Sequence, residues 1–377
     1  MSRKVLVVAT SDIHLQVFHL PYLKMLKDKG YVVDVAVEVR GNGKVPFADH
    51  LFNLPFKRTL FSYQLLGAYR GLKKIIREGD YALIHCHTPI PSAMTRIAAG
   101  SARKKGTRVM YTAHGFHFYK GAPLSYWLTY YLAEKYLSGK TDAIVTINKE
   151  DYDLASKNLY AGRTHYIKGI GVDTSKFRKV EPASKESSKL EMGYASNSFI
   201  LLYAANFIDR KNHQFVLNAL VGLKDLIPEI KVLFAGSGIR MQKMIDFTTN
   251  SGLHAYVDFL GFRKDMDRLL AITDVSISSS KQEGLPLAIA EAMVCGVPVI
   301  ATEERGHREL IEHNETGFLF EQENEQAFID SVFKLYQDRG LSAKFVKNGV
   351  QKIRQFSIEN SLASMDEIYD MYLTEKR

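Results

Sequence analysis

Short runs of β-branched and aliphatic residues alternate along the chain with longer segments whose apolar positions recur every three or four residues. In the first half the runs are Val5–Ala9, Val32–Val37, Leu83–His85, Val109–Tyr111 and Ala143–Thr146, separated by amphipathic stretches such as Leu20–Lys29 and Leu65–Arg77. A short apolar run bounded by turns predicts a strand covered on both faces. Its alternation with helical patterns predicts βαβ units and a parallel sheet. The alternation pauses over Asp173–Ser198, a stretch rich in Lys, Ser and Glu without an apolar period, which reads as a linker. It restarts at Phe199–Ala204 and continues through Val232–Ala235, Val257–Leu260, Val275–Ser278 and Val297–Ala301, and from Glu325 onward the pattern is helical. The chain therefore reads as α/β, two Rossmann-like domains with parallel sheets facing across a cleft. The expected boundaries are 1–172 for the first domain, 173–198 for the linker, 199–358 for the second domain and 359–377 for a final helix packing back on the first. In such sheets ligands bind beyond the carboxyl ends of the strands.

A length of 377 residues agrees with two domains, and an apolar fraction of 46% with 24% charged residues excludes disordered, collagen-like and disulfide-stapled classes. The two cysteines, Cys86 and Cys295, fall one in each half and give no disulfide framework. The stretch Gly121–Ala133, free of Asp, Glu, Lys and Arg beside an aromatic cluster, is shorter than the roughly 20 apolar residues a spanning helix needs. Met1–Val5 leads directly into a strand-like run without a cleavage region, so a cytoplasmic protein is expected. Charge changes this picture. The net of +9 divides into +15 over residues 1–180 and −6 over 181–377. A basic half points to an anionic partner: nucleic acid, an anionic membrane or a phosphorylated small molecule.

The stretch richest in chemistry is Ser278-Ser279-Ser280-Lys281-Gln282-Glu283-Gly284-Leu285-Pro286, which follows a strand and opens a helix carrying Glu291 about two turns in. Gly284 lets backbone approach a ligand closely, Pro286 suits a first helical position, and the free N–H groups of a first turn favour an anion or sugar oxygens. Glu283 and Glu291 can meet one extended ligand at separate points. Taken alone, the same residues describe a capped helix with two solvated glutamates.

Together with Gly296-Val297-Pro298-Val299-Ile300, this stretch resembles the donor-site signature of family 4 glycosyltransferases, retaining enzymes with the GT-B fold. Ala235-Gly236-Ser237-Gly238 is similar to the family's early turn in the second domain, Leu260-Gly261-Phe262 to its nucleotide-base loop, and Gly171-Val172-Asp173 to its domain junction. His85-Cys86-His87-Thr88-Pro89, Tyr111–Phe118 and Ile147–Tyr152 resemble bacterial exopolysaccharide and capsule enzymes. The resemblance implies that Glu283 holds donor-sugar hydroxyls, and that backbone groups of Gly284, Leu285 and Pro286 hold the sugar and diphosphate. It gives the ribose to Glu291, the diphosphate to Lys211 with help from Arg210, and the base to Gly261, Phe262 and Arg263. His114 meets the donor sugar, and Asp12, His14 and His117 are placed on the acceptor side. It implies a UDP-sugar donor, an N-acetylhexosamine, a polyprenyl diphosphate-linked glycan as acceptor, and no cofactor.

Two departures stand out. Where the family has an Arg five residues before the Lys, this chain has Asn206, which bonds a phosphate without neutralising it. The glycine-rich loop after the first strand is replaced by Thr10-Ser11-Asp12-Ile13-His14. The pairs His85/His87 and His114/His117 are not at helical ligand spacing and no Cys or carboxylate cluster joins them, so no metal is expected. The triplets Asp151-Tyr152-Asp153 and Asp265-Met266-Asp267 fall at expected helix starts, where acidic residues are common. Two patches mix bases with aromatics: Lys57-Arg58 with Phe61, Tyr63, Leu65, Leu66, Tyr69, Arg70, Lys73 and Lys74, and Tyr126–Leu132 with Arg103-Lys104-Lys105. Such patches fit a membrane interface as well as a core helix with a charged edge. Two rival functions are a nucleic-acid-binding protein, against which the acidic second half and the lack of a binding module speak, and a sugar-nucleotide epimerase of the same architecture.

Overall fold

The computed structural model describes residues 3–57, 63–179 and 182–374. Arg58 and Phe61 of the first basic patch lie outside them. The chain forms two compact units: unit 1 is Met1–Gly171 with Glu359–Arg377, and unit 2 is Val172–Ile358.

Unit 1 is built on strands β1 (Lys4–Ser11), β2 (Val32–Glu38), β3 (His50–Asn53), β4 (Leu83–His87), β5 (Arg108–Ala113), β6 (Ala143–Thr146) and β7 (Arg163–Tyr166), in the spatial order β3-β2-β1-β4-β5-β6-β7. All neighbours are parallel, with Val5 opposite both Val33 and Leu83. Val5–Ala9 and all of β4 are buried. A central parallel strand has helices over both faces, which is why these runs are continuously apolar instead of alternating. The helix Gln64–Gly79 turns Ala68, Leu72 and Ile76, four residues apart, onto the sheet. Each large aliphatic side chain buried this way contributes about 1.5–3 kcal/mol.

Unit 2 repeats the plan with β8 (Phe199–Ala204), β9 (Ile230–Ala235), β10 (Val257–Gly261), β11 (Val275–Ser278), β12 (Val299–Thr302) and β13 (Phe318–Phe320), all parallel, in the order β10-β9-β8-β11-β12-β13. Inward residues of the strands feed two clusters, one containing Leu201, Tyr203 and Phe234, the other Ile200, Leu202 and Leu233. The order reverses between β1 and β4 in unit 1, and between β8 and β11 in unit 2. At such switch points the loops leaving the two central strands diverge and open a crevice.

Residues 173–198, expected as a linker, belong to unit 2 and contain the helix Pro182–Glu191. Ion pairs hold this segment where an apolar stripe does not. Lys189, only 5% exposed, donates to Ser198 O at 2.6 Å and Asp274 Oδ2 at 2.7 Å, and Lys185 Nζ donates to Thr273 O at 2.7 Å. The last helix, Ile358–Thr374, lies almost wholly in unit 1 and buries Met365, Ile368, Tyr369 and Leu373. Its Asp366 and Asp370 pair with Lys29 at 2.7 and 2.5 Å. Among the described residues, no helix is long and apolar enough to cross a membrane.

Candidate functional site

At the switch point of unit 2, the loop after β8 and the loop after β11 are bonded to each other. Ser279 Oγ donates to Asn212 O at 2.8 Å and Lys281 N–H to Arg210 O at 2.8 Å, while Tyr203 Oη, from β8 itself, donates to Lys211 O at 2.5 Å. Behind them the loop after β9 packs so closely that only glycine fits. A Cβ on Gly236 would sit 2.0 Å from Ala205 O, and one on Gly238 2.5 Å from Phe207 O. Phe207 N–H donates to Ser237 O at 3.0 Å, and Gly236 N–H to Gly261 O at 2.8 Å. This stitching fixes the backbone at Asn206, whose own position is exposed.

Glu283 is the centre of the arrangement. It is 6% exposed and its carboxylate is paired with Lys211 and, at 3.4 Å, with Arg210, which also donates to Gln282 O at 2.7 Å. Burial alone would raise the acid; Lys211 and then Arg210 overcome it and hold Glu283 down at about 2. Its backbone is clamped as well. Glu283 N–H donates to Glu304 Oε2 at 2.9 Å, Arg305 Nε donates to Glu283 O at 3.2 Å, and a Cβ on Gly306 would meet Glu283 O at 2.9 Å. Glu304 also caps the next helix through His307 N–H at 2.7 Å, and His307 Nε2 lies 2.9 Å from Ser278 Oγ. Burial, then the charge of Glu283, raises Glu304 to about 7. Glu304, Arg305, Gly306 and His307 do not stand out in the sequence. The only signal is their place directly after β12, at the carboxyl edge of the sheet.

The helix after the Gly284-Leu285-Pro286 turn runs from Leu287 to Val294, so Pro286 caps it one residue ahead of the expected first helical position. Glu291 is the fifth helical residue, about one turn in where two were expected, and burial raises its carboxyl to about 7. Gly261, the last residue of β10, has a positive φ of 65°; in the loop beyond it Phe262 is 72% exposed and Arg263 is paired with Asp265 at 2.5 Å. Asp265 thus has a structural partner, and Asp151, fully buried, accepts from Phe116 N–H at 3.1 Å and Asn148 Nδ2 at 2.9 Å. Arg240, unremarked in the sequence, adds a second half-exposed guanidinium at this edge and pairs with Asp209 at 2.7 Å.

In unit 1 the corresponding edge is rich in imidazole. Asp12, expected on the acceptor side, is instead fully buried, and its oxygens accept the N–H groups of Arg40, Gly41 and Gly43 at 2.8–3.1 Å. Burial works against its ionisation, yet these bonds keep its acid below the ordinary value, so Asp12 anchors the 40–43 loop. His14 Nε2 lies 3.3 Å from His19 Nε2, and His114 Nε2 lies 3.3 Å from His87 Nδ1. The rings of His19 and His87 lie 4.1 Å apart and those of His87 and His85 4.2 Å apart, both pairs tilted, while His85 bonds Thr112 at 2.7 Å and Tyr369 at 2.8 Å. Burial first, then neighbouring imidazoles, holds His19, His87 and His114 well below the usual histidine range. His117 stands apart, stacked on Tyr130 at 4.5 Å. The structure thus brings His14, His87 and His114 together and adds His19, which reads in sequence only as a polar residue ahead of an amphipathic helix.

Comparison with known proteins agrees with this geometry. The family model "Glycosyl transferase 4-like" matches residues 4–148, and "Glycosyl transferases group 1" matches residues 184–352. EpsD of Bacillus subtilis (strain 168), assigned as a glycosyltransferase, is 41% identical over 375 residues, covering 99% of this chain and 98% of that protein. The UDP-Gal:alpha-D-GlcNAc-diphosphoundecaprenol alpha-1,3-galactosyltransferase of Escherichia coli is 28% identical over 310 residues, 80% of this chain and 78% of that one. The crystal structure of Anabaena HepE with UDP-glucose superposes with a TM-score of 0.80 at 20% identity, covering 98% and 99% of the two chains, a likeness of fold. Matched along nearly its whole length by a 41% identical relative, and in both halves by models of sugar-transfer enzymes, this chain belongs to family 4 of the glycosyltransferases and has the GT-B fold.

Proposed function

We propose that the protein transfers an N-acetylhexosamine from a UDP-sugar to a glycan carried on a polyprenyl diphosphate, retaining the anomeric configuration, in bacterial exopolysaccharide or capsule synthesis. The observation that carries this reading is the buried Glu283 paired with Lys211 beside the Gly284–Pro286 turn. Both ends of a sugar diphosphate find their chemistry there. Lys211 and Arg210 offer positive charge to the diphosphate, and Glu283, kept ionised, offers acceptor oxygens to sugar hydroxyls. Glu291 is assigned the ribose, Gly261, Phe262 and Arg263 the base, and Asn206 a neutral phosphate contact. Breaking the bond between the anomeric carbon and the diphosphate leaves negative charge on the leaving group, and positioned cations stabilise it. In a front-face reaction the acceptor oxygen bonds the same face of that carbon, and its proton passes to the departing diphosphate. No divalent ion is required for these steps, and His114 steadies the sugar as positive charge develops. The carrier lipid is supported by the Escherichia coli relative, whose substrate is a GlcNAc-diphosphoundecaprenol.

The same reading places the enzyme in the cytoplasm, at the inner face of the cell membrane. Leu124, Leu128, Leu132 and Tyr136, four residues apart, are 53–72% exposed, and Tyr63 and Leu66 are 86% and 55% exposed near Lys73 and Lys74. Apolar side chains at this spacing beside exposed bases suit an anionic interface. Screening nucleotide sugars for thermal stabilisation tests the donor. A ligand at 100 times its dissociation constant adds about 2.7 kcal/mol. The expected hit is a UDP-N-acetylhexosamine; stabilisation by no UDP-sugar overturns the assignment.

A further inference from the structure

The amino-terminal edge of the unit 2 sheet, the end away from Lys211 and Glu283, holds a cavity of about 1160 Å³ that sugar transfer does not use. Phe199 opens β8 there, Asp274 precedes β11 and Pro298 precedes β12. Part of the lining is apolar, with Leu270, Val297 and Pro298 buried. The charged part is mostly basic: Lys179, Lys185, Lys189, Arg339, Lys347 and Arg354 stand against the three carboxylates Glu186, Glu229 and Asp274. The excess is local, because residues 181–377 carry a net of −6. Two of the carboxylates are already engaged. Asp274 accepts from Lys189 at 2.7 Å, from Ile200 N–H at 2.8 Å and from Lys185 at 3.3 Å, and Glu229 accepts from Tyr336 Oη at 2.7 Å. Among the described residues, no carboxylate pairs with Lys179, Arg339 or Lys347.

Gathering like charges around a hollow disfavours their charged forms and costs free energy. Burial lowers the Lys185 ammonium below its ordinary value; Asp274 opposes this, and Lys189 and Arg339 add to it. A bound anion reverses that balance. A phosphate monoester carries about −1.5 to −2 charges at neutral pH and offers three acceptor oxygens, and ammonium and guanidinium groups form strong charge-assisted bonds to it. Small-molecule sites combine a concave apolar surface with a few convergent polar groups, and this cavity has both. We propose that the cavity binds a phosphate group carried on a small organic molecule, with the phosphate at Lys185 and Arg339 and the organic part on Leu270, Val297 and Pro298. The site lies wholly within unit 2, at the other end of the strands from the Glu283 loop, and does not depend on the assignment of donor or acceptor.

The test uses the full chain with excess UDP, which occupies the Lys211 site, and reads binding of phenyl phosphate and inorganic phosphate by calorimetry and thermal melting. Phenyl phosphate should bind once per chain and raise the melting temperature, and inorganic phosphate should bind the same site more weakly. Sodium chloride at equal ionic strength should do neither. Arg339→Gln should weaken phenyl phosphate by about 10-fold or more, the loss expected for one charged hydrogen bond, and leave UDP binding unchanged. Without phosphate the same variant should melt no lower than the native chain, because an exposed, unpaired cation has been removed from its like-charged neighbours. Lys185→Gln should show the same loss of binding. It also gives up the bond to Thr273 O, so if it does not fold, Arg339→Gln carries the comparison. Binding of neither phosphate by the native chain, or binding that survives Arg339→Gln, overturns the proposal. Equal affinity for the two overturns its organic part and leaves free phosphate as the ligand.

Discussion

Replacing Glu283 by Gln should do two opposite things: slow transfer severely and tighten the binding of free UDP. Glu283 keeps Lys211 occupied when no donor is bound, and Gln keeps the shape while removing the charge. Two unit charges 4 Å apart in surroundings of effective dielectric about 20 attract by about 4 kcal/mol. Desolvation offsets much of this for a buried pair. A net release of about 1–2 kcal/mol is expected, since Arg210, at 3.4 Å, also loses its ionic partner while keeping its bond to Gln282 O. That corresponds to UDP binding roughly 5–30-fold more tightly. Turnover should fall by about 10²–10³-fold, the cost of one lost transition-state contact of about 2.7–4 kcal/mol. Calorimetric titration with UDP reads the first effect and single-turnover transfer the second. Lys211→Ala is the control with the other sign: it should slow transfer and weaken UDP together. A normally folded Glu283→Gln protein that binds UDP more weakly than the native chain would refute the competition between carboxylate and diphosphate for Lys211.

Glu291 supplies a pH test: its carboxyl, ordinarily near 4.5, stands at about 7 because of burial, and a ribose hydroxyl donates best to the ionised form. UDP affinity should therefore rise with pH up to about 7 and level off, and Glu291→Gln should abolish that rise, leaving only the nucleotide's own titration. Because its native value is raised, the same group costs stability as pH climbs from about 4.5 through 7, so Glu291→Gln should melt higher than the native chain at pH 8. At the membrane, replacing the exposed Lys73, Lys74, Lys104 and Lys105 by Ser should release the protein from anionic vesicles while sparing UDP binding, and added salt should do the same. Equal binding of the native chain to neutral vesicles would rule out the electrostatic account.

Much of this architecture is legible in the apolar runs, because central parallel strands are covered on both faces and must be apolar throughout. Of the four edge strands, β10 is legible as the run Val257–Leu260, and the other three escape the same reading. β3, β7 and β13 are three or four residues long, and β3 and β7 are partly exposed, so none forms a run. Residues 173–198 read as a linker because Lys185 and Lys189 hold their helix through charge. The loop after β11 is visible in Glu283, Gly284 and Pro286, since glycine and proline mark the turn. Its support is not: Glu304 and Gly306 act on Glu283 from the end of β12, a contact created by strand order. Asp12 shows the converse. An acid at the end of β1 reads as a ligand group, and only the fold reveals that three backbone N–H groups of the 40–43 loop already use it.

Retaining transfer from a UDP-sugar to a lipid-linked acceptor is the core of the proposed function, and the configuration of the new bond is its sharpest test. Inversion would need a base aimed at the acceptor hydroxyl from the face opposite the leaving group. No residue is assigned that role beside the donor; the proton goes to the departing diphosphate. Proton NMR of the product made from an α-linked UDP-sugar and a polyprenyl diphosphate glycan reads the anomeric coupling. An α-linked product is expected. A β-linked product would contradict both the front-face route and the role given to Glu283 as a binding group.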